Sequence, residues 1–212
     1  MKKNELKQRI FDIKTFYRHL KNMIDSLHDL IRYKMSGNMD KAFTEKIMLA
    51  VTEVNGCRYC NYLHTKLALN AGVSKEDIQI LLSGQFKNIS PGESRAFIFA
   101  QHYADTGGNP DFETYQKFVN FYGDDKAKEI MSVIKAIMVG NIYGLSIDAF
   151  INRIKRNPLQ GSRFKDEVLI IVGIFIFIPV ICVQIFTQRI SKIPAVCFKT
   201  IKNLFGKLTS CV

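Results

Sequence analysis

Apolar positions recur three or four residues apart along nearly all of the chain before residue 165, the spacing of amphipathic helices. Leu6, Ile10, Ile13, Phe16/Tyr17, Leu20, Ile24, Leu27 and Leu30/Ile31 make one stripe and predict a helix over residues 5 to 34, ended by Ser36-Gly37-Asn38. Phe43, Ile47, Ala50/Val51 and Val54 predict a second over about 40 to 54, stopped at Asn55-Gly56, where glycine takes the left-handed conformation cheaply. A third is predicted from Cys57 to about Asn70, closing at Ala71-Gly72. Ser74-x-x-Asp77 is a capping box for a short helix ending at Ser83-Gly84. Ser90-Pro91-Gly92-Glu93 combines a Ser N-cap, Pro at the first helical position and an acid at the third, opening a helix that reaches Thr106 before Gly107-Gly108. Further helices are expected over about 111 to 121 and 124 to 139, the latter loosened at Gly140 to Gly144 on its way toward Arg156. No segment alternates with the period of a strand, so the expected fold is all-α.

The pattern changes after Asn157-Pro158-Leu159-Gln160-Gly161-Ser162, a linker by composition. Val168 to Thr187 is a run of 20 residues without a charge. At a rise of 1.5 Å per residue such a run spans about 30 Å, the thickness of a bilayer's hydrocarbon layer. The expected organisation is a helical domain over 1–160, a linker over 161–167, a transmembrane helix over 168–187 and a basic tail over 188–212. A hairpin turning back at Pro179, or a buried core helix, is the alternative for the apolar run.

Charge refines this picture. The net charge is +11, with basic residues spread over helix faces and on both sides of the apolar run. No nucleic-acid motif accompanies them, so the expected partner for this charge is an anionic membrane surface and not nucleic acid. Arg153, Lys155, Arg156, Arg163 and Lys165 precede the run while Arg189, Lys192, Lys199, Lys202 and Lys207 follow it, so the positive-inside rule does not choose a side. The charged start, MKKNELKQRIFDIK, has no apolar signal core. A single-pass protein with a cytoplasmic N-terminal domain is therefore expected. Cys182 and Cys197 read as packing or palmitoylation residues, and Cys211-Val212 is not a prenylation box.

The chemistry-bearing pattern is Cys57-x-x-Cys60-x-x-x-His64. On a helix these positions share one stripe, aligning two sulfurs with an imidazole. Cys57 directly follows Gly56 at a helix start, where free N–H groups and the macrodipole favour a thiolate, the reactive form of sulfur. A metal site with Glu45 as fourth ligand lacks the second ligand pair usual for structural zinc, and buried inert cysteines rarely fall in such register with a histidine. A redox dithiol fits best. His19, His28 and His102 read as surface or helix-end residues, and Tyr115, Tyr122 and Tyr143 as core or interface aromatics.

The segment from Glu45 to Ser74, with Asn-Gly-Cys-x-Tyr-Cys-x-x-x-His followed by Ala-Gly-Val-Ser, resembles the core of the alkylhydroperoxidase D / carboxymuconolactone decarboxylase family. Weaker similarity runs over about 39–157. The resemblance implies an alkylhydroperoxidase D-like helical bundle assembled as a trimer or hexamer. It implies that Cys60 is the peroxidatic nucleophile, Cys57 the resolving thiol, Glu45 the relay carboxylate and His64 its link to sulfur. Tyr59 stands where one peroxidase relative has a second histidine, and is a hydroxyl donor or packing residue. Glu53 ranks well below Glu45. The implied activity is thiol-dependent reduction of hydroperoxides, recharged by a lipoyl- or thioredoxin-like dithiol, with no metal, haem or flavin. A membrane-tethered redox sensor and a decarboxylase-type lyase on the same scaffold are the alternatives; the decarboxylase branch generally lacks the Cys pair.

Overall fold

The computed structural model describes residues 8–36, 40–83 and 89–191, with side chains up to residue 184. The described residues form helices and no strand: α1 (Ile13–Asp25), α2 (Leu27–Met35), α3 (Lys41–Asn55), α4 (Arg58–Asn70), α5 (Lys75–Leu82), α6 (Pro91–Asp105), α7 (Phe112–Tyr122), α8 (Asp124–Ile154) and α9 (Phe164–Ser191). The all-α expectation therefore holds. The basic tail from Lys192 lies outside the described residues.

Local chemistry sets these boundaries. Asp12, Asp40, Ser74, Ser90 and Asp111 each accept a hydrogen bond from a backbone N–H three residues on, satisfying a donor that the helix leaves open. Gly56 ends α3 at φ 73°, in the left-handed region. Two expectations change. The long N-terminal stripe is two helices, because Ser26 turns its hydroxyl back to the carbonyls of Asn22 (3.1 Å) and Met23 (3.0 Å) and its N–H to Met23, breaking the ladder. Conversely, Gly140 to Gly144 is not loosened, and α8 runs unbroken for 31 residues.

α3 is the central element, packed by α4, α5, α6 and α8. Its fully buried Ile47, Leu49, Ala50 and Val51 meet Phe97 and Ala100 of α6 and Val133, Ile134 and Met138 of α8 in one apolar core. Phe99 of α6 stacks on Phe118 of α7 with ring centroids 4.0 Å apart. His19 is buried here, not at the surface, with its ring against Gly108.

The chain divides into two compact units, Met1–Ile174 and Phe175–Val212, the boundary falling inside α9. Within the first unit, Arg153 near the end of α8 grips Glu167 with two hydrogen bonds of 2.7 and 2.8 Å and also reaches Ser162. Asp166 accepts the Ile13 N–H at 3.3 Å. The first turn of α9, which begins at Phe164, is fixed by these bonds. Two helices are long and apolar enough to cross a membrane. In α8 the apolar stretch is 67% buried, as befits a core helix, whereas over Phe164–Gln184 only 28% is buried.

Candidate functional site

The site is built where α3 hands over to α4. Gly56 reverses the chain, and Cys57 then takes the N-cap position of α4 with φ −77° and ψ 100°. Its Sγ accepts the Cys60 N–H at 3.3 Å, as a Ser or Asp oxygen does in an ordinary cap. Cys57 is buried, whereas Cys60, one turn on, is half-buried. The Cys60 Sγ lies 3.6 Å from the Gly140 carbonyl oxygen. The sulfurs are thus side by side, as free thiols.

This geometry makes the thiols unequal. The Cys57 pKa lies below the usual thiol value because the Cys60 thiol donates to it, aided by the N–H groups of Cys60 and Tyr59 and opposed by burial and by the Asp148 charge. The Cys60 pKa is pushed up by the hydrogen bond to Cys57, then by burial and by the Cys57 charge. The first negative charge on the pair therefore resides on Cys57, at the helix start.

α8 supplies the floor. A Cβ placed on Gly144 would lie 2.8 Å from the Cys57 Sγ and 3.3 Å from the Cys60 Sγ, so only glycine lets the sulfurs settle there. Asp148 follows one turn later with its side chain 1% exposed. It forms an ion pair with Arg58, accepts Gln8 at 2.6 Å and Asn152 at 3.2 Å, and ties the start of α4 to α8. Sequence reading missed Gly144 and Asp148. The available signal was the spacing of Gly140, Gly144 and Asp148, which puts all three on one helix face.

The other expected site residues divide into two groups. Glu45 of α3 and His64 of α4 meet directly, Oε2 to Nδ1 at 2.7 Å, with side chains 16% and 12% exposed. Among the described residues the imidazole has no hydrogen bond to either sulfur. Tyr59 is 44% exposed and lies beneath the Arg58 guanidinium, 5.4 Å from ring centre to carbon, rather than on the sulfurs. Glu53 is half-buried, which raises its carboxyl pKa, and it hydrogen-bonds neither sulfur. Among the described residues, no three His, Cys, Asp or Glu side chains assemble as a metal-binding set.

Neither the curated proteins nor the solved structures contain a match to the chain. The model of the carboxymuconolactone decarboxylase family matches residues 19–102. That segment holds Glu45, both cysteines, Tyr59 and His64, and it begins within α1, ahead of the similarity read from about residue 39. Gly144 and Asp148 lie beyond it. Over residues 19–102, the segment that carries the dithiol, the chain is similar to the carboxymuconolactone decarboxylase family, which takes in the alkylhydroperoxidase D-like proteins.

Proposed function

We propose that the protein is a thiol-dependent peroxidase that cycles Cys57 and Cys60 between dithiol and disulfide. The observation that carries this reading is the paired placement of the sulfurs over Gly144, with the Glu45–His64 pair joining α3 to the helix that carries the sulfurs. Exposure favours Cys60 as the attacking sulfur, since Cys57 is only 1% exposed. Glu45 accepts the Nδ1 proton of His64 and leaves Nε2 free as the base that draws the first proton from the dithiol. The charge so formed rests on Cys57 and passes to Cys60 as Cys57 takes the Cys60 proton; the Cys60 thiolate attacks the peroxide, an S–O bond forms, the O–O bond breaks, and the departing alkoxide takes the Cys57 proton and leaves as alcohol. Cys57, already disposed to carry charge, attacks the sulfenic sulfur; the S–S bond forms and hydroxide leaves as water after protonation. An external dithiol then returns two electrons and two protons by exchange.

The mostly exposed apolar stretch of α9 supports a membrane-tethered protein, and also supports a second reading as a tethered redox sensor. Exposed Tyr62 and Leu63 on α4 support self-association. Hydroperoxide consumption fed by dihydrolipoamide tests the main reading. Sustained turnover is the expected result; one disulfide per chain and no turnover assigns the site to sensing.

A further inference from the structure

Arg58 sits between the two cysteines in sequence, at the first position of α4, and its guanidinium is committed to the buried Asp148 carboxylate. A cation one residue from a thiolate ordinarily stabilises it. Here that cation is neutralised by a carboxylate that is itself out of water and therefore poorly screened. Asp148 also acts on Cys57 directly, disfavouring its charge. Two further contacts hold the carboxylate in place, one from Gln8 of the N-terminal segment and one from Asn152, which also donates to the Asp148 backbone carbonyl. Glu45 and His64 are paired with each other and with neither Arg58 nor Asp148.

We infer that Asp148 is a positioning residue that sets the reduction potential of the dithiol by holding Arg58 as a neutral pair. This rests on the redox reading of the same site. Reduction of the disulfide takes two electrons and two protons and yields two thiols, or one electron pair and one proton when Cys57 remains a thiolate. Whatever stabilises that thiolate stabilises the reduced form and raises the potential. Removing the Asp148 charge removes its direct opposition to the Cys57 charge and leaves the Arg58 cation, one residue along the chain, unpaired, making the pair more oxidising. Removing the Arg58 charge leaves Asp148 unopposed and makes it more reducing.

The test is the dithiol–disulfide equilibrium of the full-length protein against glutathione, with thiolate absorbance at 240 nm followed against pH. Asp148→Asn is expected to shift the equilibrium about tenfold toward the dithiol, equal to about 30 mV, with the thiolate appearing at lower pH. Arg58→Gln, at a half-exposed side chain, is expected to shift both in the opposite direction. A merely structural ion pair would move the two variants the same way, because each breaks the same contact; same-sign shifts, or no shift in Arg58→Gln, overturn the inference. Should Asp148→Asn fail to fold, Arg58→Gln decides alone by its sign. A wild-type pair that never closes to a disulfide overturns the redox reading itself, and a pair that cycles with same-sign variants overturns only the role of Asp148.

Discussion

Glu45 and His64, nineteen residues apart and on different helices, meet at 2.7 Å between carboxylate oxygen and Nδ1. In the proposed cycle that contact keeps the proton on Nδ1 and leaves Nε2 as the base. Replacing His64 with Asn is expected to lower kcat/KM for hydroperoxide by about 100-fold, the lower end of what a positioned base contributes. Glu45→Gln keeps a hydrogen-bonding partner but loses the charge, so a smaller loss is expected. Steady-state kinetics from pH 6 to 9 check both, and unchanged rates at every pH would remove the pair from the mechanism.

The two cysteines are expected to fail differently. Cys60→Ser should abolish turnover, since no attacking sulfur remains. Cys57→Ser should allow one oxidation per chain and stop at a sulfenic acid that dimedone traps. Mass spectrometry of the peroxide-treated variants distinguishes the outcomes, and a trapped sulfenic acid on Cys57 in the Cys60→Ser protein would reverse the assigned roles.

Gly144 and Gly140 offer a matched pair of substitutions. A methyl on Gly144 meets both sulfurs at 2.8 and 3.3 Å, so Gly144→Ala is expected to cost about 1–3 kcal/mol by overpacking and to slow disulfide closure. A methyl on Gly140 meets only the Ile137 side chain, at 3.8 Å, and Gly140→Ala should be neutral or gain up to about 1 kcal/mol of helix propensity. Urea denaturation and the rate of thiol loss under mild oxidant measure both effects.

His19 predicts an acid sensitivity. Burial, then the nearby Arg18 charge, depress its pKa to about 4, against a partly opposing hydrogen bond to the Gly107 backbone. The unfolded chain, with an ordinary histidine near 6.5, binds the proton more readily, so stability falls as pH drops below about 6.5 and levels off below about 4. Between pH 7 and 5 this one group accounts for about 2 kcal/mol. Comparing urea midpoints of wild type and His19→Gln at the two pH values isolates it, and equal pH slopes would refute the assignment.

Membrane attachment is expected to depend on the apolar part of α9 alone. A chain ending at Ile174 keeps Asp166 and Glu167 with their partners, and should move to the soluble fraction while the full chain survives carbonate washing of membranes. Recovery of the full chain in the soluble fraction would remove the tether.

Much of this was legible in the residues. Ser74, Ser90 and Gly56 announced their helix ends because capping is local chemistry, readable over four residues. The dithiol and its histidine were legible for the same reason. The break at Ser26 was not, because apolar spacing continues in step across it and only the hydroxyl's back-bonding stops the ladder. Gly140 and Gly144 looked like a weak point because glycine disfavours an isolated helix. What overrides that is tertiary: the room Gly144 leaves is filled by sulfur from another helix. Asp148 was invisible as a site residue because its partners Gln8 and Arg58 lie 140 and 90 positions away.

Because α8 runs without a break past Gly144, Asp148 and Arg153, its length there is locked. One added or deleted residue between Gly144 and Arg153 would swing everything after it about 100° around the axis, carrying Asp148 off Arg58 and Arg153 off Glu167. Changes in chain length among relatives should therefore collect in the connections flanking this rod and spare its interior.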